Sequence, residues 1–186
     1  DGIKDALEQT LAGAMEDGIV DDAVIAASGA QGAELWRIRE TIPEAQVNAG
    51  GSIKHDVSVP VSKVPEFLVR GQQIVEAEIN GVRVVAFGHL GDGNIHFNLS
   101  QPEDTEGETF LAKWERVNRL VLDLVDDLGG SFSAEHGIGR AKVPWTHLGR
   151  SDLDLATMRA IKDALDPDGR LNPGVLFGRR AQTPEC

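Results

Sequence analysis

The sequence predicts an α+β fold, in which an antiparallel sheet carries helices on one face, close to ferredoxin-like split βαβ units. Three observations support this class. The predicted elements from Lys54 onward follow the order strand, helix, strand, strand, helix. The two middle strands flank a glycine-rich turn at Gly91-Asp92-Gly93, and such a turn favours an antiparallel hairpin. Finally, 186 residues with 41% hydrophobic content can bury one good core.

The segment before Lys54 is predicted to be mostly helical. Apolar residues recur at helical spacing over 3–17, and Gly18 then stops the pattern. Residues 22–26 have the composition of a short strand. A second helix is predicted to open at Ser28 or Gly29, with Pro43 at a position where it could kink the helix.

The segment from Lys54 onward alternates strands and helices. Residues 54–60 alternate like a half-buried strand, and a helix with Pro65 in its first turn follows over 64–79. Residues 82–87 form the next predicted strand, which leads into the glycine-rich turn. The remaining predicted elements are a long amphipathic helix over 109–128, a polar loop over 131–142 and a last helix over 152–165.

Composition excludes several classes of protein. The formal net charge is −12 and no cluster of Lys or Arg occurs, so we expect no nucleic-acid partner. No apolar run approaches the 18 residues of a membrane span. The single cysteine, Cys186, is the last residue, which fits a reducing compartment, and we expect a cytoplasmic location. In so acidic a chain, an anionic substrate would have to be held by a few local cations.

The segment Gly88 to Leu99, GHLGDGNIHFNL, places two histidines around the predicted turn. If Asp92-Gly93 forms a two-residue turn, His89 lies directly opposite His96 on the same face of the hairpin. The Cβ atoms of such a pair lie roughly 4.5–5.5 Å apart. Two imidazoles at this separation can share one metal ion, although an isolated pair is more often simply solvated.

A third possible ligand lies in the glycine-rich segment Ser133 to Gly137, where Glu135 and His136 are adjacent. Two histidines and one carboxylate, with an open fourth position, form a common catalytic site for zinc or a similar divalent ion. We interpret the other two histidines, His55 and His147, as structural residues.

Five ordered motifs resemble the C-terminal domain of FAD-linked oxidases, a family that includes D-2-hydroxyglutarate dehydrogenase, D-lactate dehydrogenase and the D-subunit of glycolate oxidase. The motifs are LWRIRE (35–40), KHDVSVP (54–60), HLGDGNIH (89–96), SAEHGIG (133–139) and LDP with LNPG (165–167 and 171–174). The resemblance covers residues 1–178, as a substrate- and metal-binding domain that is incomplete at its N-terminus. Residues 179–186 are predicted to form a flexible tail.

The resemblance implies a role for nine residues. Its metal ligands match His89, His96 and Glu135, and its active-site base matches His136. The groups that contact the substrate match Arg39, Lys54 and Asn98. The residues whose motifs approach the flavin match Asn94 and Asn172. Where the 2-hydroxyglutarate enzyme has a threonine four residues after the substrate arginine, this sequence has Pro43, so the particular acid stays open.

The resemblance therefore implies an FAD-dependent, metal-assisted dehydrogenase that oxidises a D-2-hydroxy acid to the 2-keto acid. The implied cofactors are a divalent metal, with zinc preferred, and FAD, held mainly by a separate domain of the same polypeptide. An electron acceptor is the remaining implied partner. Two alternatives stay open at this point. One is a stand-alone zinc hydrolase that uses the same two histidines and Glu135, and the other is a non-catalytic domain that binds metal and carboxylate.

Overall fold

The structure, a computed structural model, describes residues 2–178, so the predicted tail over 179–186 lies outside the described residues. The α+β class is confirmed. The helices are α1 (Gly2–Glu16), α2 (Gly29–Asn48), α3 (Val64–Glu78), α4 (Gly107–Leu111), α5 (Trp114–Asp127) and α6 (Asp152–Leu165). The strands are β1 (Ser52–Ile53), β2 (Asp56–Ser58), β3 (Arg83–His89) and β4 (Asn94–Ser100). Within residues 2–178, none of the helices combines the length and the apolar character needed to cross a bilayer.

The chain divides into two compact units, with the boundary between Ala45 and Gln46. The first unit contains α1 and most of α2. The Ser28 hydroxyl accepts a hydrogen bond of 3.2 Å from the backbone N–H of Gln31, which caps α2 where the sequence predicted its start. The helix continues through Pro43. The second unit contains the sheet, the remaining helices and the hydrophobic core.

Strand β4 is the centre of the sheet. It pairs antiparallel with β3 on one side and with both β1 and β2 on the other. Ser52 pairs with Ser100 and Asp56 pairs with His96, so β1 and β2 keep one register along β4. They are two parts of a single interrupted strand.

The two faces of β4 have opposite chemistry because successive side chains of a strand point to opposite faces. Ile95, Phe97 and Leu99 are buried in the hydrophobic core. The alternate residues, Asn94, His96 and Asn98, lie on the polar face. One face of β4 therefore packs in the core, and the other face presents polar side chains that can take part in chemistry.

Helices α3 and α5 cover the apolar face. The rings of Phe67 and Phe97 meet edge to face with their centroids 5.2 Å apart. A Cβ atom at Gly71 would lie 3.1 Å from Cζ of Phe97, so glycine is what allows α3 to approach β4 this closely. Arg70 of α3 and Asp127 at the end of α5 form an ion pair of 2.7 Å. Helices α3 and α5 and strand β4 therefore share one hydrophobic core.

His55 is buried within this core, which supports its interpretation as structural. Its Nδ1 lies 2.7 Å from the carbonyl oxygen of Phe97, so Nδ1–H donates a hydrogen bond there. Its Nε2 is buried without a hydrogen-bond partner among the described residues. Burial lowers the pKa of His55 to about 4, against an opposing effect of the bond to Phe97 and with a small further decrease from the charge of Lys142.

This burial predicts a pH-dependent loss of stability. The unfolded chain binds a proton at His55 below the ordinary pKa of 6.5, whereas the native state resists protonation until about pH 4. The free energy of unfolding should therefore fall as the pH drops through this window, by about 2 kcal/mol from His55 between pH 7 and pH 5. Urea unfolding of the wild type and of His55→Gln at both pH values checks this. An equal pH dependence in the two proteins would contradict it.

Two predicted elements are wrong. Residues 22–26 are not a strand, since no strand pairs with them in the described part of the chain, and a strand needs a neighbour to satisfy its backbone. The helix predicted over 109–128 is two helices, α4 and α5. The N–H of Lys113 donates to the carbonyl of Phe110, three residues before it, and this tighter turn interrupts the α-helical ladder. The helices predicted over 3–17, 64–79 and 152–165 are confirmed.

Candidate active site

The hairpin of β3 and β4 is confirmed, but its predicted register is wrong. A loop of four residues, Leu90 to Gly93, joins the strands, so His89 pairs with Asn94 and His96 pairs with Phe87. Gly93 has φ +72°, and a Cβ atom there would overlap the carbonyl oxygen of Val59. This close approach to the end of the neighbouring strand requires glycine and sets the turn. The register differs from the prediction by two residues, which leaves His89 and His96 on the same face.

The loop over 131–142 brings the other predicted residues to this polar face. The backbones of Ser131 and Ser58 exchange two hydrogen bonds, of 3.0 and 2.8 Å. The N–H of Ala134 donates to the carbonyl of Asp56 at 3.3 Å. The start of the loop therefore runs antiparallel beside β2, and this places Glu135 and His136 next to His96.

The Glu135 carboxylate lies between the two histidines of the hairpin. Its Oε1 is 3.6 Å from Nδ1 of His89, and its Oε2 is 3.7 Å from Nε2 of His96. The side-chain amide of Asn94 donates to Oε1 at 2.5 Å. The structure thus places Glu135 near each hairpin histidine, although His89 and Glu135 are 46 residues apart along the chain.

Each of these two separations, taken alone, suits a pair of ligands on one metal ion, but the ligand atoms of His89, His96 and Glu135 do not all lie within 4.8 Å of one another. Two ligand atoms of a tetrahedral zinc ion, each about 2.1 Å from the metal, lie about 3.4 Å apart. The two separations, 3.6 and 3.7 Å, are close to this value, and they exceed the length of a direct hydrogen bond. The set offers two imidazole nitrogens and one carboxylate, which is the donor chemistry of many catalytic zinc sites.

His136 lies beside this group. Its ring centroid is 5.7 Å from that of His96, and its Nδ1 is 3.7 Å from Oδ2 of Asp56. Its side chain is 64% exposed, whereas that of Asp56 is 3% exposed. An accessible imidazole backed by a buried carboxylate can take up a proton from a bound molecule, since the carboxylate stabilises the charged ring.

Asp56 is the main residue of the site that sequence reasoning did not select. Its two carboxylate oxygens each lie 3.1 Å from the backbone nitrogen of Glu135, and Oδ2 also accepts a bond of 2.9 Å from the N–H of His136. Nζ of Lys142 lies 3.5 Å from the same Oδ2 and donates to the hydroxyl of Ser133 at 3.0 Å. The side chain of Asp56 therefore links β2 to the loop over 131–142.

The surroundings of Asp56 and Lys142 shift the pKa of each group. Burial alone would raise the pKa of Asp56, but the N–H bonds from His136 and Glu135 and the charge of Lys142 outweigh burial and hold that pKa below its ordinary value. Burial lowers the pKa of Lys142, and the nearby carboxylate only partly offsets the decrease.

A different set, which shares His96 with the predicted one, has the closer mutual spacing among the described residues. One ligand atom from each of Asp56, His96 and His136 can be chosen so that all three lie within 4.8 Å of one another. His96 is common to both sets. In one set His89 and Glu135 join His96, and in the other Asp56 and His136 join it. Zinc binding by variants of these residues can show which set holds the ion.

The three residues predicted to contact the substrate lie in different elements and differ in burial. Asn98 lies on the polar face but is buried, and its amide donates to the side chain of Gln46 at 2.8 Å, while Gln46 donates to Ser100 at 3.1 Å. Lys54 is exposed between β1 and β2. Arg39 is half-buried on α2 in the first unit. Sequence reasoning missed Gln46, which lies in the helical segment before the sheet and carries no motif of its own.

The two predicted flavin-facing residues are also separate. Asn94 is buried, its amide is bonded to Glu135, and its Oδ1 has no hydrogen-bond partner among the described residues. Asn172 has a left-handed backbone, with φ 47°, and lines a cavity of about 420 Å³ next to α6. Asp166 orders the start of this segment by accepting from the N–H groups of Arg170 and Leu171.

Comparison with known proteins gives one family and a consistent group of relatives. The sequence profile of the C-terminal domain of FAD linked oxidases matches residues 2–176. A D-2-hydroxyglutarate dehydrogenase of Xanthomonas citri pv. viticola is 44% identical over 163 residues, which are 88% of this chain and 34% of the relative. One of Stutzerimonas stutzeri is 39% identical over 88% of the chain and 35% of the relative.

A more distant relative is the mitochondrial D-2-hydroxyglutarate dehydrogenase of Arabidopsis thaliana. It is 37% identical over 91% of this chain and 29% of its own length. The chain thus spans about a third of the length of the curated relatives it matches.

Proposed function

The chain belongs to the family of C-terminal domains of FAD-linked oxidases, and from this we propose that it supplies the substrate and metal site of an FAD-dependent dehydrogenase that oxidises a D-2-hydroxy acid to the 2-keto acid. The observation that carries the proposal is the convergence of Glu135 with His89 and His96, beside the accessible His136. The relatives reported above have dehydrogenase names, which favours this reaction over the zinc hydrolase and the non-catalytic domain.

We propose His89, His96 and Glu135 as the ligands of a divalent metal, with zinc preferred for a set of two nitrogens and a carboxylate. When bound, such an ion supplies Lewis-acid polarisation of the hydroxyl and carboxylate oxygens of the substrate. Asn94 holds Oε1 of Glu135 through its amide. We therefore propose Asn94 as a support of the metal ligand, and both Asn94 and Asn172 as residues of the segments that approach the flavin.

His136 is proposed as the base. It takes the proton of the substrate hydroxyl while the α-carbon loses its hydrogen as a hydride, and the C–O bond becomes C=O. FAD, held mainly by another domain of the same polypeptide, supplies the hydride acceptor. Asp56, 3.7 Å from Nδ1 of His136, stabilises the ring once it is charged.

The substrate carboxylate is proposed to be held by Arg39 and Lys54, with Asn98 as a polar contact. A guanidinium can grip a carboxylate with two parallel hydrogen bonds. The side chain of Gln46 fixes the amide of Asn98, since it accepts from Nδ2 at 2.8 Å. The identity of the acid is left at the level of a D-2-hydroxy acid, because Pro43 stands where the 2-hydroxyglutarate enzyme has a threonine.

The further partners follow from the reaction. An electron acceptor must reoxidise the flavin after each turnover. We also propose a cytoplasmic location, in keeping with a chain whose single cysteine is its last residue, while the Arabidopsis relative has a mitochondrial name.

Steady-state kinetics of the intact protein with a panel of D-2-hydroxy acids test the proposed function. Arg39→Ala and Lys54→Ala should each raise KM by roughly 10–100-fold, since a hydrogen bond to a charged group contributes about 1.5–3 kcal/mol. Metal content should stay unchanged in both variants.

The matched controls are two exposed cations that already have ion-pair partners, Arg37 with Glu34 and Lys63 with Glu66. Arg37→Ala and Lys63→Ala should leave KM unchanged. If no D-2-hydroxy acid reduces the flavin, the proposed function is wrong. If the wild type is active but KM is unchanged in Arg39→Ala and Lys54→Ala, the carboxylate is held elsewhere.

A further inference from the structure

The backbone of the Glu135-His136 segment is bound to the sheet through one buried carboxylate. Asp56 accepts from both consecutive N–H groups, at 3.1 and 2.9 Å, and its side chain is 3% exposed. We infer that Asp56, with Lys142 as its counter-ion, is a positioning residue that anchors this segment to β2 and does not itself bind the metal. The second half of this inference rests on the metal site proposed above.

Both carboxylate oxygens of Asp56 already accept hydrogen bonds from the protein. Oδ1 accepts from the N–H of Glu135, while Oδ2 accepts from the N–H of His136 and lies 3.5 Å from the ammonium of Lys142. A cation bound at Asp56 would compete with these donors and would stand near the positive charge of Lys142, which repels it. By contrast, the Glu135 carboxylate is 44% exposed and lies near both hairpin histidines. Proximity alone therefore places Asp56 in a possible ligand set, and its bonding argues against it.

The anchor matters because the segment lies in a loop, outside any helix or strand. Glu135 and His136 are followed by Gly137 and Gly139, which both have positive φ. Fixing two consecutive peptide groups fixes the directions in which the two side chains leave the backbone. Without the carboxylate, the entropy of the loop opposes a single position for both. Lys142 donates to the carbonyl of Asp56 and to the hydroxyl of Ser133. The counter-ion therefore bonds both to β2 and to the loop that carries Glu135.

The test is Asp56→Asn, with two readouts on the chain. The first is amide hydrogen exchange at Glu135 and His136 without added metal, which should become at least ten-fold faster. The second is zinc titration by calorimetry. Affinity should fall by roughly 10–100-fold, as for a residue that orients a ligand, with about one zinc ion still bound per chain.

Asp166→Asn is the matched control. Asp166 is also buried, accepts from two backbone N–H groups and pairs with a lysine, Lys162, at 2.6 Å. Its loss should disturb the turn after α6 and leave zinc affinity unchanged. Glu135→Gln is the reference for the loss of a true ligand. If Asp56→Asn does not fold, Lys142→Gln carries the test and should change both readouts in the same direction.

Two results would overturn the inference. Unchanged exchange at Glu135 and His136 would show that the carboxylate does not anchor the segment. If Asp56→Asn loses zinc as completely as Glu135→Gln does, while Asp166→Asn keeps wild-type zinc affinity, Asp56 binds the metal. If the wild type binds no zinc, the proposed metal site fails, and the exchange rates alone then decide whether Asp56 anchors the segment.

Discussion

Replacing His136 by alanine in the intact protein should lower kcat for the hydroxy acid by roughly 10²–10⁴-fold, the usual contribution of a general base. The side chain is accessible, and its Nδ1 lies 3.7 Å from the buried carboxylate of Asp56. That carboxylate can stabilise the charged ring after proton transfer. Metal content should remain full, because His136 is outside the proposed ligand set. Steady-state kinetics at saturating zinc, together with metal analysis of the purified variant, make the measurement.

The competing hypothesis is that His136 only orients Glu135. In that case the variant should lose metal affinity by roughly 10–100-fold and recover activity when zinc is supplied in excess. Full recovery would therefore refute the assignment as base. His147→Ala is a suitable control, since His147 is another exposed histidine in the described part of the chain. It should retain wild-type kcat.

The double variant His89→Ala with His96→Ala should lose nearly all of the single zinc ion that we expect per chain. The variant removes two of three proposed protein ligands, and Glu135 alone cannot hold a tetrahedral ion. Metal analysis after dialysis, followed by zinc titration, measures the loss. Undiminished metal content would show that the hairpin is not the metal site.

Single variants separate the two overlapping ligand sets. His89→Ala should weaken zinc binding strongly if His89, His96 and Glu135 are the ligands, and His136→Ala should not. The opposite pattern would assign the ion to Asp56, His96 and His136, whose ligand atoms lie within 4.8 Å of one another. His96→Ala should weaken binding in either case and confirms that the titration responds to a ligand.

The polar face of the sheet explains why these residues can work together. The apolar face of β4 is covered by α3 and α5, which leaves the other face for Asn94, His96 and Asn98. The loop that carries Glu135 and His136 is bonded to the edge of β2 on that side. A rigid sheet therefore holds two of the proposed ligands, and the loop adds the third ligand and the base.

The sequence by itself determined the elements that depend on local order. In β4 the alternation of apolar and polar side chains is written in the sequence, because a strand has a period of two. The glycine-rich turn predicts the hairpin, and the motifs predict the family. His89 and His96 were placed on one face correctly, since a register error of two residues preserves the face.

Only the tertiary structure decided the contacts between distant segments. The register of the hairpin depends on Gly93 packing against Val59, in a strand that the hairpin sequence does not contain. The role of Asp56 depends on two N–H groups that lie about 80 residues further along the chain. Neither contact leaves a local period or motif, because the energy of a hydrogen bond or a close approach depends on position in space and not on separation in sequence. The sequence therefore predicts the candidate ligands, and the fold decides what holds them.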